Sequence, residues 1–141
     1  MHLNGRRPLP RAYPQALVTI GDHLRKCRLD LGLLQRPAAE RLGVTECTVT
    51  NWELNRTEPE IRFLPAIVRF LGYTPWPAGR FFGERLLAFR RERGLSQAEC
   101  AQLLGIDPGT LSAWERNLRV PTGPRARLVE EAVGSTTSSP A

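Results

Sequence analysis

The chain has 141 residues, a formal net charge of +6 and an isoelectric point near 10.2. Such a basic balance favours a polyanionic partner, either nucleic acid or an anionic membrane surface. No apolar run approaches the roughly 20 residues of a membrane span, and Cys27, Cys47 and Cys100 with only His2 and His23 beside them make no zinc set, which argues against a membrane-spanning protein and a metalloprotein.

Residues 1–18 carry Arg6, Arg7 and Arg11, three prolines and no acidic residue, which reads as a flexible basic arm. The opening segment lacks the apolar core of a secretion signal, and an odd, scattered cysteine count fits a reducing cytoplasm. From there the periodicity predicts helices. The first runs from about Gly21 to Leu31, capped by Thr19, with Leu24, Cys27 and Leu31 on one face and Gly32 ending it. A second spans about Gln35 to Leu42 and stops at Gly43; Pro37 falls in its first turn, where a missing N–H costs little. A third, capped by Thr45, covers about Glu46 to Leu54. A fourth lies near Ile61 to Leu71, with a break or restart expected at Pro65. A linker at about 73–80 is stiffened by prolines, and Trp76, Phe81 and Phe82 give the region something to pack.

Four more helices are predicted over about Phe82–Arg93, Gln97–Leu104, Pro108–Arg116 and Pro124–Val133. Ser96, Asp107 and Thr122 are their candidate caps, and Pro108 sits at a favoured first-turn position. The tail, about 135–141, is low in complexity and expected to be disordered. No segment reads as a strand, so the expected class is all-α.

The two helical stretches are copies. A shift of 62 residues lays 21–59 over 83–121 without a gap, matching among others Arg28/Arg90, Gly32/Gly94, Gln35/Gln97, Ala39/Ala101, Gly43/Gly105, Trp52/Trp114, Glu53/Glu115 and Asn55/Asn117. In each copy a small residue (Ala39, Ala101), a glycine four positions on, an apolar residue six beyond that (Val49, Leu111) and then a Trp describe two short helices crossing steeply through a tight turn, a helix-turn-helix.

With LGLLQ…AAERLGV…CTVTNWELNR and RGLSQAECAQLLGI…GTLSAWERN in view, each copy resembles the DNA-binding domain of the Cro/repressor family, the XRE-type regulators. The resemblance covers about residues 19–72 and 81–134. It implies two tandem lambda-repressor-like domains of four to five helices, each sending its third helix into the DNA major groove. It also implies structural ion pairs between Arg28 and Glu53 and between Arg90 and Glu115. Asn55 and Asn117 are read as helix caps rather than DNA readers, and Trp52 and Trp114 as core.

The resemblance gives Gln35 and Gln97 phosphate contacts at the starts of the second helices. Arg56, Arg62, Arg116 and Arg119 follow the third helices, where phosphates would run. On the outward side of the first copy's third helix, Thr45, Glu46, Cys47, Thr48, Thr50 and Asn51 are the candidate base contacts: Asn51 could pair with adenine, Glu46 could accept from cytosine and Cys47 could touch a thymine methyl. The second copy departs from this pattern. Pro108, Gly109 and Ala113 hold the reading positions, leaving only the short Thr110 and Ser112.

Double-stranded DNA is therefore the expected partner, at the nucleoid, in transcriptional regulation. A homodimer or a protein partner is a further candidate, with antitoxin-like or coactivator-like protein binding by one or both copies as the alternative. No cofactor, metal, membrane or small-molecule site is expected, and no paired carboxylates, nucleophile–base set or phosphate loop points to an enzyme.

Overall fold

The computed structural model describes residues 13–137. The arm residues Arg6, Arg7 and Arg11 lie outside the described residues, as do the last four residues of the tail. The described chain is helical throughout, with no strand: α1 (Ile20–Asp30), α2 (Gln35–Leu42), α3 (Glu46–Glu53), a 3-10 turn (Ile61–Phe63), α4 (Leu64–Leu71), α5 (Phe82–Arg93), α6 (Gln97–Leu104), α7 (Pro108–Glu115) and α8 (Gly123–Thr137). Described residues up to Pro59 with Arg69–Tyr73 form one compact unit, and Glu60–Val68 with the described residues from Thr74 onward form the other.

Local chemistry sets the helix ends. Thr19 and Asp22 form a capping box at α1: the Asp22 N–H donates to Thr19 Oγ1 at 3.0 Å and the Thr19 N–H to Asp22 Oδ2 at 3.1 Å. Ser96 and Glu99 repeat the device at α6. Asp107 Oδ2 accepts from the N–H groups of Gly109 and Thr110 at the start of α7, with Pro108 as first helical residue. Phe81 has no capping atom, so Glu84 alone closes α5 by accepting from the Arg80 and Phe81 N–H groups at 2.8 and 3.2 Å. The expected restart near Pro65 takes the form of the 3-10 turn, after which Pro65 is the second residue of α4. The last helix runs past Val133 to Thr137, over the first residues of the expected tail.

Within the first unit α2 and α1 both pack on α3, and Leu24, Ala38, Ala39, Leu42, Val49 and Trp52 are buried. Tyr13 joins this unit through a 3.0 Å bond from its hydroxyl to Asp30, and Tyr73 meets His23 at 2.7 Å. The second unit packs α5 on α7 and α8, and α6 on α7, around Leu86, Phe89, Cys100, Ala101, Leu111, Trp114, Ala126, Val129 and Val133. Of the linker aromatics, Trp76 is buried, Phe82 meets the Trp114 ring edge-on at 5.7 Å, and Phe81 is exposed. Among the described residues no helix is long and apolar enough to cross a membrane, and no cluster of His, Cys, Asp and Glu could hold a metal ion.

Candidate nucleic-acid interface

The geometry of α3 and α7 is fixed from two directions. The first is the turn. Gly43 and Gly105 adopt left-handed backbone at φ 74° and 70°, a region open to glycine at little cost. The next N–H then reaches back to the small residue of the preceding helix, Val44 to the Ala39 carbonyl at 3.0 Å and Ile106 to the Ala101 carbonyl at 2.9 Å. The alanines are fully buried beneath the crossing helices.

The second is an ion-pair hub. Arg28 grips Glu53 with both prongs, Nε to Oε2 at 2.6 Å and Nη2 to Oε1 at 2.9 Å, and its Nη1 donates to the Leu33 carbonyl at 2.8 Å. Gln35 Nε2 adds a bond to Glu53 Oε1 at 3.2 Å. The buried Glu53 carboxylate therefore ties α1 and the start of α2 to the end of α3, and Arg28 adds the α1–α2 turn. Arg90, Glu115, Leu95 and Gln97 repeat the arrangement at 2.7, 3.2, 3.1 and 3.1 Å. Both pairs are nearly withdrawn from water, so the fork geometry and the extra donors matter more than simple attraction.

The C-terminal ends of α3 and α7 are closed by Asn55 and Asn117, the two non-glycine residues at positive φ among the described ones, at 60° and 57°. Asn55 accepts from the Thr19 hydroxyl at 2.7 Å and donates to Asp22 at 3.2 Å. It thus pins the start of α1 to the end of α3, where a Cβ on Gly21 would collide with the Trp52 carbonyl. Burial works to raise the Asp22 carboxyl, but the Thr19 N–H, the Asn55 amide and the Val18 N–H together hold it below the ordinary 3.8.

The chain matches the helix-turn-helix family HTH_3 twice, over residues 24–75 and 86–138. It belongs to that family. No curated protein and no solved structure matches it. Helix-turn-helix proteins of this kind are DNA-binding regulators, and the twofold match fits the tandem all-helical repeat.

Within the helix-turn-helix frame the candidate residues fall into distinct settings. Thr45 is exposed, and its Oγ accepts from the Thr48 N–H at 3.1 Å and lies 2.8 Å from the Thr48 hydroxyl. Thr50 is half-buried and donates to Gln35 Oε1 at 2.8 Å and to the Glu46 carbonyl at 3.1 Å. Glu46 and Cys47 are exposed, and Asn51 is half-buried one turn beyond Cys47, its Nδ2 3.7 Å from Cys47 Sγ. In the second repeat Thr110 and Ser112 are both half-buried.

Gln35 and Gln97 turn their amides inward onto Glu53 and Glu115. Arg56, Arg116 and Arg119 are exposed. Arg62 is bonded to Glu60 at 3.0 Å, lies over the Phe63 ring at 4.7 Å, and belongs to the 3-10 turn that groups with the second unit. Arg36, which the sequence pattern does not single out, places its Nε 3.4 Å from Glu46 on the exposed side of α2 and α3. The signal was a lone base on the first turn of α2, which only the crossing of the two helices brings next to Glu46.

Proposed function

We propose that the chain binds double-stranded DNA sequence-specifically and regulates transcription, with α3 of the first repeat as the principal reading helix in the major groove. The observation that carries this reading is the division of labour on α3. Its inward side is fixed by Val49, Trp52 and Glu53, while Glu46, Cys47 and Asn51 stand on the outer side with chemistry suited to base edges. Thr45, Thr48 and Thr50 are held by bonds to each other, to the α3 backbone and to Gln35, while Glu46 meets the exposed Arg36 and Asn51 meets Cys47 on the outer side, so discrimination falls mainly on Glu46, Cys47 and Asn51.

Gln35 and Gln97 each spend one amide hydrogen on a glutamate, leaving a second for a phosphate oxygen. Arg56 supplies a further phosphate contact, Arg116 and Arg119 do so where the second repeat also grips DNA, and Arg62 can do so by releasing Glu60. We assign the chain no catalytic role.

Selection of bound sequences from a random DNA library tests this reading. A defined consensus is expected, with log affinity falling against log salt at a slope of about −5 or steeper for six or more phosphate contacts. No enrichment over random sequence at low salt would overturn it.

A second reading concerns the second repeat alone. Pro108, Gly109 and Ala113 give α7 no side-chain donor or acceptor at the positions of Glu46, Cys47 and Asn51. This favours a protein-binding role for that repeat beside the DNA-binding role of the first.

A further inference from the structure

The two repeats set different side chains on one backbone frame. Gly43 and Gly105 turn the chain alike, and the Leu118 N–H donates to the Ala113 carbonyl at 2.9 Å just as the Arg56 N–H donates to the Asn51 carbonyl at 2.9 Å. On this frame Glu46, Cys47 and Asn51 become Pro108, Gly109 and Ala113, and the charged Arg56 and Glu58 become Leu118 and Val120. Leu118 is 65% exposed and Val120 82%. The replacements thus extend beyond the reading positions of α7 into the segment bonded to it.

The charged side chains of the segment Arg116–Val120 are of one sign. Asp107 is occupied with the Gly109 and Thr110 N–H groups, and Glu115 with Arg90 and Gln97. Arg116 and Arg119 stay exposed and alternate with Leu118 and Val120 along the chain. Phosphates would satisfy the arginines but offer nothing to the two apolar side chains, whose burial needs an apolar counterpart. A second copy of the same face would bring arginine against arginine.

We propose that α7 and the segment Arg116–Val120 form a docking surface for a protein segment that presents apolar side chains flanked by Asp or Glu. This rests on the protein-binding reading of the second repeat and names its partner's chemistry. Leu118 and Val120 take the apolar side chains, and Arg116 and Arg119 fix the register through the acids.

The test is selection from a random displayed peptide library on the full chain, with DNA affinity measured on the same samples. Enriched peptides are expected to interleave Leu, Ile or Phe with Asp and Glu. The double variant L118S/V120S, altered only at exposed positions, is expected to lose peptide affinity at least tenfold and to keep its DNA affinity within twofold. R116Q/R119Q is expected to remove the preference for acidic peptides, and N51A to leave peptide binding unchanged. No enrichment, enriched peptides without acids, or peptide binding untouched by L118S/V120S would overturn the proposal. So would a tenfold loss of DNA affinity in L118S/V120S. Failure of the parent chain to bind DNA would sink the DNA-reading proposal for the first repeat, and the peptide result would still decide this one.

Discussion

The Thr50 hydroxyl donates to Gln35 Oε1 at 2.8 Å, and Gln35 in turn donates to Glu53, the partner of Arg28. The middle of α3 is thereby linked to the ion-pair hub as well as its end. The second repeat keeps Arg90, Glu115 and Gln97 but places Ser112 where Thr50 stands, and among the described residues Ser112 makes no bond to Gln97. The two third helices are held by the same hub with different numbers of ties.

Thr50→Val removes the hydroxyl while keeping the shape. It should lower stability by about 1 kcal/mol, the usual worth of one such bond, read as a shift in denaturant midpoint. Ser112→Ala should shift the midpoint by less than half of that. Equal shifts would show that the Thr50 bonds to Gln35 and to the Glu46 carbonyl contribute nothing.

Arg28→Met strands a buried carboxylate and should cost about 3–5 kcal/mol. Replacing both partners, Arg28→Met with Glu53→Leu, should recover much of the loss, because no charge then remains unpaired. Chemical denaturation of the three proteins checks this. A double variant no better than the single one would mean that the bonds to Leu33 and Gln35, rather than the stranded charge, carry the effect.

Gly21→Ala and Gly43→Ala should fail for different reasons. At Gly43 an added Cβ has open space, and only the left-handed backbone is strained, so about 1–2 kcal/mol is expected. At Gly21 the backbone is ordinary, but the Cβ meets the Trp52 carbonyl at the α1–α3 contact. That overpacking should cost more, up to about 3 kcal/mol. Thermal melts that place Gly43→Ala as the more damaging change would contradict the close approach of α1 to α3.

The depressed Asp22 carboxyl sets a pH window. Because it titrates lower in the folded chain than in the unfolded one, its stabilisation is fully present above about pH 5 and is lost as pH falls below the ordinary 3.8 and through the folded value. Asp22→Asn should flatten the acid side of a plot of melting temperature against pH. An unchanged acid limb would rule out the bonds from Thr19, Val18 and Asn55 as its cause.

Asn51→Ala should relax base preference at one position of the bound sequence and cost about 1–3 kcal/mol there. Uniform weakening on all sequences would instead make Asn51 a non-reader. The comparison uses the consensus site and its single-base variants at one fixed salt concentration.

The sequence by itself determined the helices and their repetition. Caps at Thr19, Thr45, Ser96 and Asp107, stops at Gly43 and Gly105, and buried positions at turn spacing are local effects of backbone geometry and apolar burial. They act within a few residues, so they can be read in one dimension. Only the family resemblance links Arg28 to Glu53 at the level of sequence; residues so far apart in the chain carry no local sign of their pairing.

Tertiary structure alone decided where the polar side chains spend their bonds. Gln35, besides the phosphate contact expected of it, spends one amide hydrogen on Glu53 and accepts from Thr50, because folding brings the start of α2 to the end of α3. Asn55 needed the approach of α1 before its amide had partners in Thr19 and Asp22. A hydrogen bond between residues far apart in the chain exists only once packing has fixed both ends. The pattern of apolar residues can therefore forecast a core, while the assignment of donors to acceptors waits for the fold.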